Sequence, residues 1–69
     1  MQYVLIYEII NGEYVCTQKL ILLDQMDGTY ELSYYEMGEL AEVHILSSDW
    51  DEMRAQRAAL YPDMDYWEY

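Results

Sequence analysis

Residues 3–23 read YVLIYEIINGEYVCTQKLILL, two β-rich runs joined by Asn11-Gly12. The first run is β-branched and aromatic with Glu8 as its one charge; the second is similar but more mixed. A two-residue hairpin turn of the primed type needs φ > 0 at both positions, which Asn and Gly tolerate best. Asn-Gly between two such runs therefore predicts a β-hairpin. Closing the turn pairs Ile10 with Glu13, and further pairs follow without a break. One face then carries Tyr3, Leu5, Tyr7 and Ile9 beside Tyr14, Cys16, Gln18 and Leu20. The other carries Val4, Ile6, Glu8 and Ile10 beside Glu13, Val15, Thr17 and Lys19. The first set is the more apolar and is the expected core face; a one-residue slip would exchange the two.

Working outward, residues 24–28 form a loop with Asp27-Gly28 as its turn signal. A third strand is expected over 29–36, a tight turn at Met37-Gly38 and a fourth strand over 39–46. The unbroken register places Tyr34 opposite Ala41, Leu32 opposite Val43 and Tyr30 opposite Ile45, all on one apolar face. The reverse face pairs Glu31 with His44, Ser33 with Glu42 and Tyr35 with Leu40. Ser48 is the expected N-cap of a helix, accepting from the amide of Asp51, with Asp49, Asp51 and Glu52 at the positive end of the macrodipole. The helix runs to about Leu60, since the residue before Pro62 resists the α conformation. Its stripe of Trp50, Met53, Arg57, Leu60 and Tyr61 covers the sheet, with the Arg57 head left in water and Arg54 beside Asp51. The expected centre of the core is Tyr30, Leu32, Tyr34, Val43, Ile45 and Trp50.

The fold this predicts is α+β: a four-stranded antiparallel β-meander with one C-terminal α-helix packed on one face. Residues 1–61 form the single ββββα domain and residues 62–69 an acidic-aromatic tail. The competing architecture is a small barrel-like sheet in which the first strand also pairs with the fourth. An exposed apolar edge strand invites pairing, so the first strand is also expected to meet either the fourth strand or its own copy in a homodimer.

The chain has 69 residues, 54% of them hydrophobic, which is too apolar for a disordered chain and near the lower limit for one stable core. Fourteen acids against Lys19, Arg54 and Arg57 give a net charge of −11. That is beyond the magnitude of roughly 2–8 that serves solubility, and self-repulsion opposes folding. It excludes direct binding of nucleic acid or anionic membrane and points to a basic partner. Cys16, the only cysteine, cannot form an internal disulfide. The N-terminal run lacks a basic flank and no stretch reaches the ~20 apolar residues of a membrane span, so the expected location is cytoplasmic.

No catalytic motif appears, and the expectation is a non-enzyme without cofactor or metal. His44 with Glu31 lacks the nucleophile of a triad. Cys16 and His44 fall on opposite faces. The spacing of Asp24, Asp27 and Glu31 misses the ligand ladder of a calcium loop. What remains is charge beside aromatic rings, the residues of interface hot spots. Asp49, Asp51 and Glu52 on the helix, with Asp63, Asp65, Tyr66, Trp67, Glu68 and Tyr69 of the tail, are the expected partner-binding group, gathered at one end of the molecule. Glu31, Tyr35, Glu36, Glu39 and Glu42 form a second candidate face. Carboxylates and flat rings at intervals reproduce what a single strand offers a binding groove, phosphates and bases. In composition the chain resembles the small acidic inhibitors that phages and mobile elements use against restriction or CRISPR machinery. The resemblance is one of charge and size and implies nucleic-acid mimicry. The alternative is an acidic protein–protein module, an antitoxin, immunity protein or adaptor, that binds a basic partner without mimicry.

Overall fold

The computed structural model describes residues 1–64. Strands β1 (Gln2–Ile10), β2 (Glu13–Asp24), β3 (Thr29–Glu36) and β4 (Glu39–Ser47) precede helix α1 (Trp50–Leu60) and a single 3-10 turn, Pro62–Met64. The strands form one antiparallel sheet in the order β1-β2-β3-β4. The fold is thus the expected α+β meander, with β1 and β4 as its edge strands among the described residues; β1 does not pair with β4, and the barrel-like alternative is not formed. Both hairpins close as the sequence predicts. Asn11 and Gly12 have φ of 53° and 83°, Met37 and Gly38 51° and 82°. Met37 bears a side chain at a position that only glycine, asparagine and aspartate visit at low cost.

The register departs from expectation in both hairpins for one reason, a β-bulge. Near the first turn Tyr7 faces Cys16 as predicted, but Ile6 faces Gln18, leaving Thr17 as the extra residue. In the second hairpin Tyr35 faces Leu40, but Tyr34 faces Glu42, leaving Ala41 extra. A bulge sets two residues of one strand against one of its partner and so re-phases everything beyond it. Val4 therefore faces Leu20 and Tyr3 faces Ile21; Leu32 faces His44, Glu31 faces Ile45 and Tyr30 faces Leu46. The amide of Met37 donates to the Thr17 carbonyl at 3.1 Å, fastening the first bulge to the second turn.

Re-phasing moves the core to the other face of β1. Val4, Leu20, Leu22, Leu32 and Leu46 are buried beneath Met53 and Met64, with Ile6, Tyr30, Tyr34 and Tyr61 half-buried around them. Leu20, Leu32 and Met53 are fully buried, worth ~1.5–3 kcal/mol each relative to exposure. Tyr3, Leu5, Tyr7, Ile9 and Tyr14, expected inside, are exposed on the opposite face. So are Val43 and Ile45, at 47% and 62%, and Trp50 retains 44% exposure, its ring edge-on to Tyr30 at 6.2 Å between centroids. Of the six residues expected at the core centre, Leu32 is there, Tyr30 and Tyr34 pack half-buried at its edge, and Val43, Ile45 and Trp50 are exposed.

Asp49, and not Ser48, caps α1: its carboxylate accepts from the Glu52 amide at 2.9 Å, while the Ser47 hydroxyl accepts from the Asp49 amide. The Gln56 side chain accepts from the Ser47 amide at 2.9 Å, tying α1 to the end of β4. Arg57 is 2% exposed, so its head goes inside with its stem instead of reaching water. Tyr61 ends the helix, its amide donating to the Arg57 carbonyl. Pro62–Met64, expected to begin the tail, instead turns Met64 back into the core. Residues 65–69 lie outside the described residues.

Candidate functional surface

The sheet separates charge from apolar surface. Cross-strand partners share a face. By that rule Glu8 lies with Val15, Glu13 with Ile10, Asp24 with Tyr30, and Glu36 with Gln18 and Glu39, all on the side that carries α1. Glu42, opposite Tyr34, joins them. Of the strand acids only Glu31 faces the other way. Asp49, Asp51 and Glu52 at the start of α1 and Asp63 beyond its end add to the helix side. The open side carries Tyr3, Leu5, Tyr7, Ile9, Leu23, Leu40, Val43 and Ile45 at 40–66% exposure. Its charges on the strands are Lys19, whose Nζ sits 4.5 Å from the Tyr35 ring centroid, and Glu31.

On the helix side, two tyrosines order the carboxylates. The Tyr61 hydroxyl donates to Glu42 Oε1 in a short bond of 2.5 Å, and His44 Nε2 lies 3.2 Å from the same oxygen. The Tyr34 hydroxyl lies 3.0 Å from Glu36 Oε1 and 3.2 Å from Gln18 Oε1. The Tyr34 and Tyr61 rings stack at 5.0 Å between centroids, and His44 meets Tyr61 edge-on at 6.0 Å. The hydrogen bond from Tyr61, then that from His44, holds the Glu42 carboxyl below its ordinary pKa. Burial first and the Glu42 bond second push the Tyr61 hydroxyl well above its ordinary value. Burial, then the bond with Glu36, raises Tyr34. A carboxyl pushed down and phenols pushed up are displaced away from the neutral range where a general acid or base works. The arrangement fixes negative charge in place.

The expected site residues divide. Asp49 is engaged as the helix cap, and Asp51 lies 3.8 Å from Arg54. Asp63 sits at the far end of α1 from these, about 16 Å along an eleven-residue helix, so Asp63 is not gathered with the acids that open the helix. Asp65, Tyr66, Trp67, Glu68 and Tyr69 lie outside the described residues. The second candidate face is split by the sheet. Glu31 and Tyr35 are on the open side, while Glu36, Glu39 and Glu42 are on the helix side, the same side as Asp49, Asp51 and Glu52. His44 pairs with Glu42 of its own strand and not with Glu31, because the Ala41 bulge turns it toward the helix. Cys16 and His44 exchange their expected faces and stay apart. Asp24 and Asp27 are used in the loop, accepting from the amides of Met26 and Thr29.

Sequence reasoning missed Tyr34 and Tyr61 as partners of carboxylates. A signal was present: Tyr34 with Glu36, and Glu42 with His44, are i, i+2 neighbours and share a strand face in any register. No helix among the described residues is long and apolar enough to cross a membrane. No protein-family model, curated protein or solved structure matches the chain.

Proposed function

We propose that this chain is a small acidic inhibitor of phage or mobile-element type that blocks a basic, nucleic-acid-binding protein of the CRISPR or restriction class by nucleic-acid mimicry, without catalysis or cofactor. The observation that carries the reading is the one-sided display of carboxylates: six of the strand acids and those of α1 share the helix side, with Glu42 and Glu36 held by tyrosine hydroxyls. Fixed anions arranged on one surface suit a groove built to neutralise phosphates. The acids this favours fall in two clusters on that side, Glu36, Glu39 and Glu42 toward the end of α1, where Tyr61 bonds Glu42, and Asp49, Asp51 and Glu52 at its start.

A second reading rests on a different observation. Tyr34 and Tyr61 are stacked on one another and half-buried, so they do not stand out as bases would. That favours an acidic module that binds a basic partner through charge alone. The two readings are separated by competition. Binding of the chain to a purified CRISPR effector or restriction enzyme is titrated with duplex DNA or guide RNA. Under mimicry, nucleic acid displaces the chain, and Glu36→Gln/Glu39→Gln/Glu42→Gln weakens binding. Binding that persists under saturating nucleic acid supports the second reading.

A further inference from the structure

We propose that the open sheet face is the contact between two copies of this chain, stacked face to face about a two-fold axis passing beside Ile21 and Ser33. The amount of surface is the first reason. The eight exposed side chains named above for that face and Tyr14 are 40–78% exposed, and at about 200 Å² for a large side chain they present on the order of 1,000 Å² per copy. A typical monomer's largest apolar patch is ~300–600 Å², whereas a standard interface takes about 800 Å² from each partner. Pairing along the β1 edge would join backbone but leave this face in water.

The charge pattern is the second reason, and it selects a second copy over an unrelated partner. A chain of net charge −11 should repel itself. Yet the strand residues of the open face carry only Lys19 and Glu31, and all other strand acids point to the helix side. In a sandwich the sheets stand ~10 Å apart with the acidic surfaces outermost, separated by well over the ~8 Å Debye length at physiological salt.

Self-complementarity is the third reason. Lys19 faces Tyr35, Ile21 faces Ser33 and Leu23 faces Glu31, so the two charges flank the Ile21–Ser33 pair along neighbouring strands. An in-plane two-fold axis through that pair lays each Lys19 over the partner copy's Glu31, the reciprocal contact an isologous dimer requires. From the strand rise and spacing, this inclines the strands of the two sheets by roughly 40°, near the ~30° at which aligned sheets pack. Ser33, 8% exposed, leaves low relief at the centre for the closest approach.

The test is sedimentation of the full chain across the micromolar range with a charge swap. The expected species has twice the 8.3 kDa chain mass. Lys19→Glu and Glu31→Lys each set like charges together twice in the dimer and should weaken it about tenfold or more. The double swap should restore it. Circular dichroism of each variant separates loss of the dimer from loss of the fold; if one single variant does not fold, the other and the double swap still decide. A monomer throughout, single swaps without effect, or a double swap that fails to restore the dimer would overturn the proposal. So would a dimer insensitive to both swaps whose β1 amides are protected from exchange, which is edge pairing.

Discussion

Leu46→Ala set against Ile45→Ala tests the re-phased register at its most exposed consequence. These neighbours exchange roles between the unbroken pairing and the bulged one, in which Tyr30 faces Leu46 and not Ile45. Leu46 is 5% exposed and belongs to the core cluster, while Ile45 is 62% exposed. Truncating Leu46 removes three buried carbons at ~0.8 kcal/mol each, and the cavity left behind raises the cost to about 2.5–4 kcal/mol. A chain this size holds only ~3.5–10 kcal/mol in all, so the loss is a large fraction of its stability. At about 4–8 °C per kcal/mol, the melting temperature should fall by ten degrees or more. Ile45→Ala should cost within ~0.5 kcal/mol, as for other exposed positions. Both are measured by urea unfolding followed by tryptophan fluorescence, in a Lys19→Glu background so that dissociation does not contribute. If Ile45→Ala proved as costly as Leu46→Ala, the Ala41 bulge and the facing of β4 derived from it would be wrong.

Trp50→Ala should leave the chain folded and cost less than Met53→Ala, since the indole is 44% exposed while Met53 is fully buried; the reverse order in thermal melting would place the helix differently. Thr17→Val should be neutral or stabilising, because the Thr17 hydroxyl is buried with no hydrogen-bond partner among the described residues and the β-branched shape is kept. Tyr61→Phe tests the tyrosine–carboxylate pairing through pH. Glu42 has a lowered folded pKa, so its contribution is present above the ordinary 4.5 and lost as pH falls through the folded value; Tyr61 is raised, so its contribution is present below the ordinary 10.0 and lost as pH rises through the folded value. The variant should therefore melt lower than the wild type at neutral pH and converge with it in acid, and a difference that does not vary with pH would show the bond contributes nothing. Added salt at neutral pH should raise the melting temperature by screening a net charge of −11, and a flat or falling profile would mean the acids do not repel.

Both hairpins, the strand order and the helix were legible in the sequence because their signals are local. Asn11-Gly12 and Met37-Gly38 mark their turns, and Asp49 to Glu52 with Pro62 bracket α1. A local signal needs no knowledge of what it packs against. The facing of the sheet was not legible, because the deciding stretches are apolar on both sides. In Leu20-Ile21-Leu22-Leu23 and Val4-Leu5-Ile6 either alternate set could form a core, so period-two patterning leaves the phase open. On β4 the pattern pointed the wrong way: Val43 and Ile45 alternate as a core face would, yet Glu42 and His44 turn toward Tyr61. Only tertiary packing settles such a choice. One helix covers one face, and the residues extra at Thr17 and Ala41 let Val4, Leu20, Leu32 and Leu46 lie beneath it together. The acidic composition was readable from residue counts. That the acids share one side and the spare apolar residues the other follows from those two bulges, because inserting one residue reverses the side on which every later residue of the strand stands.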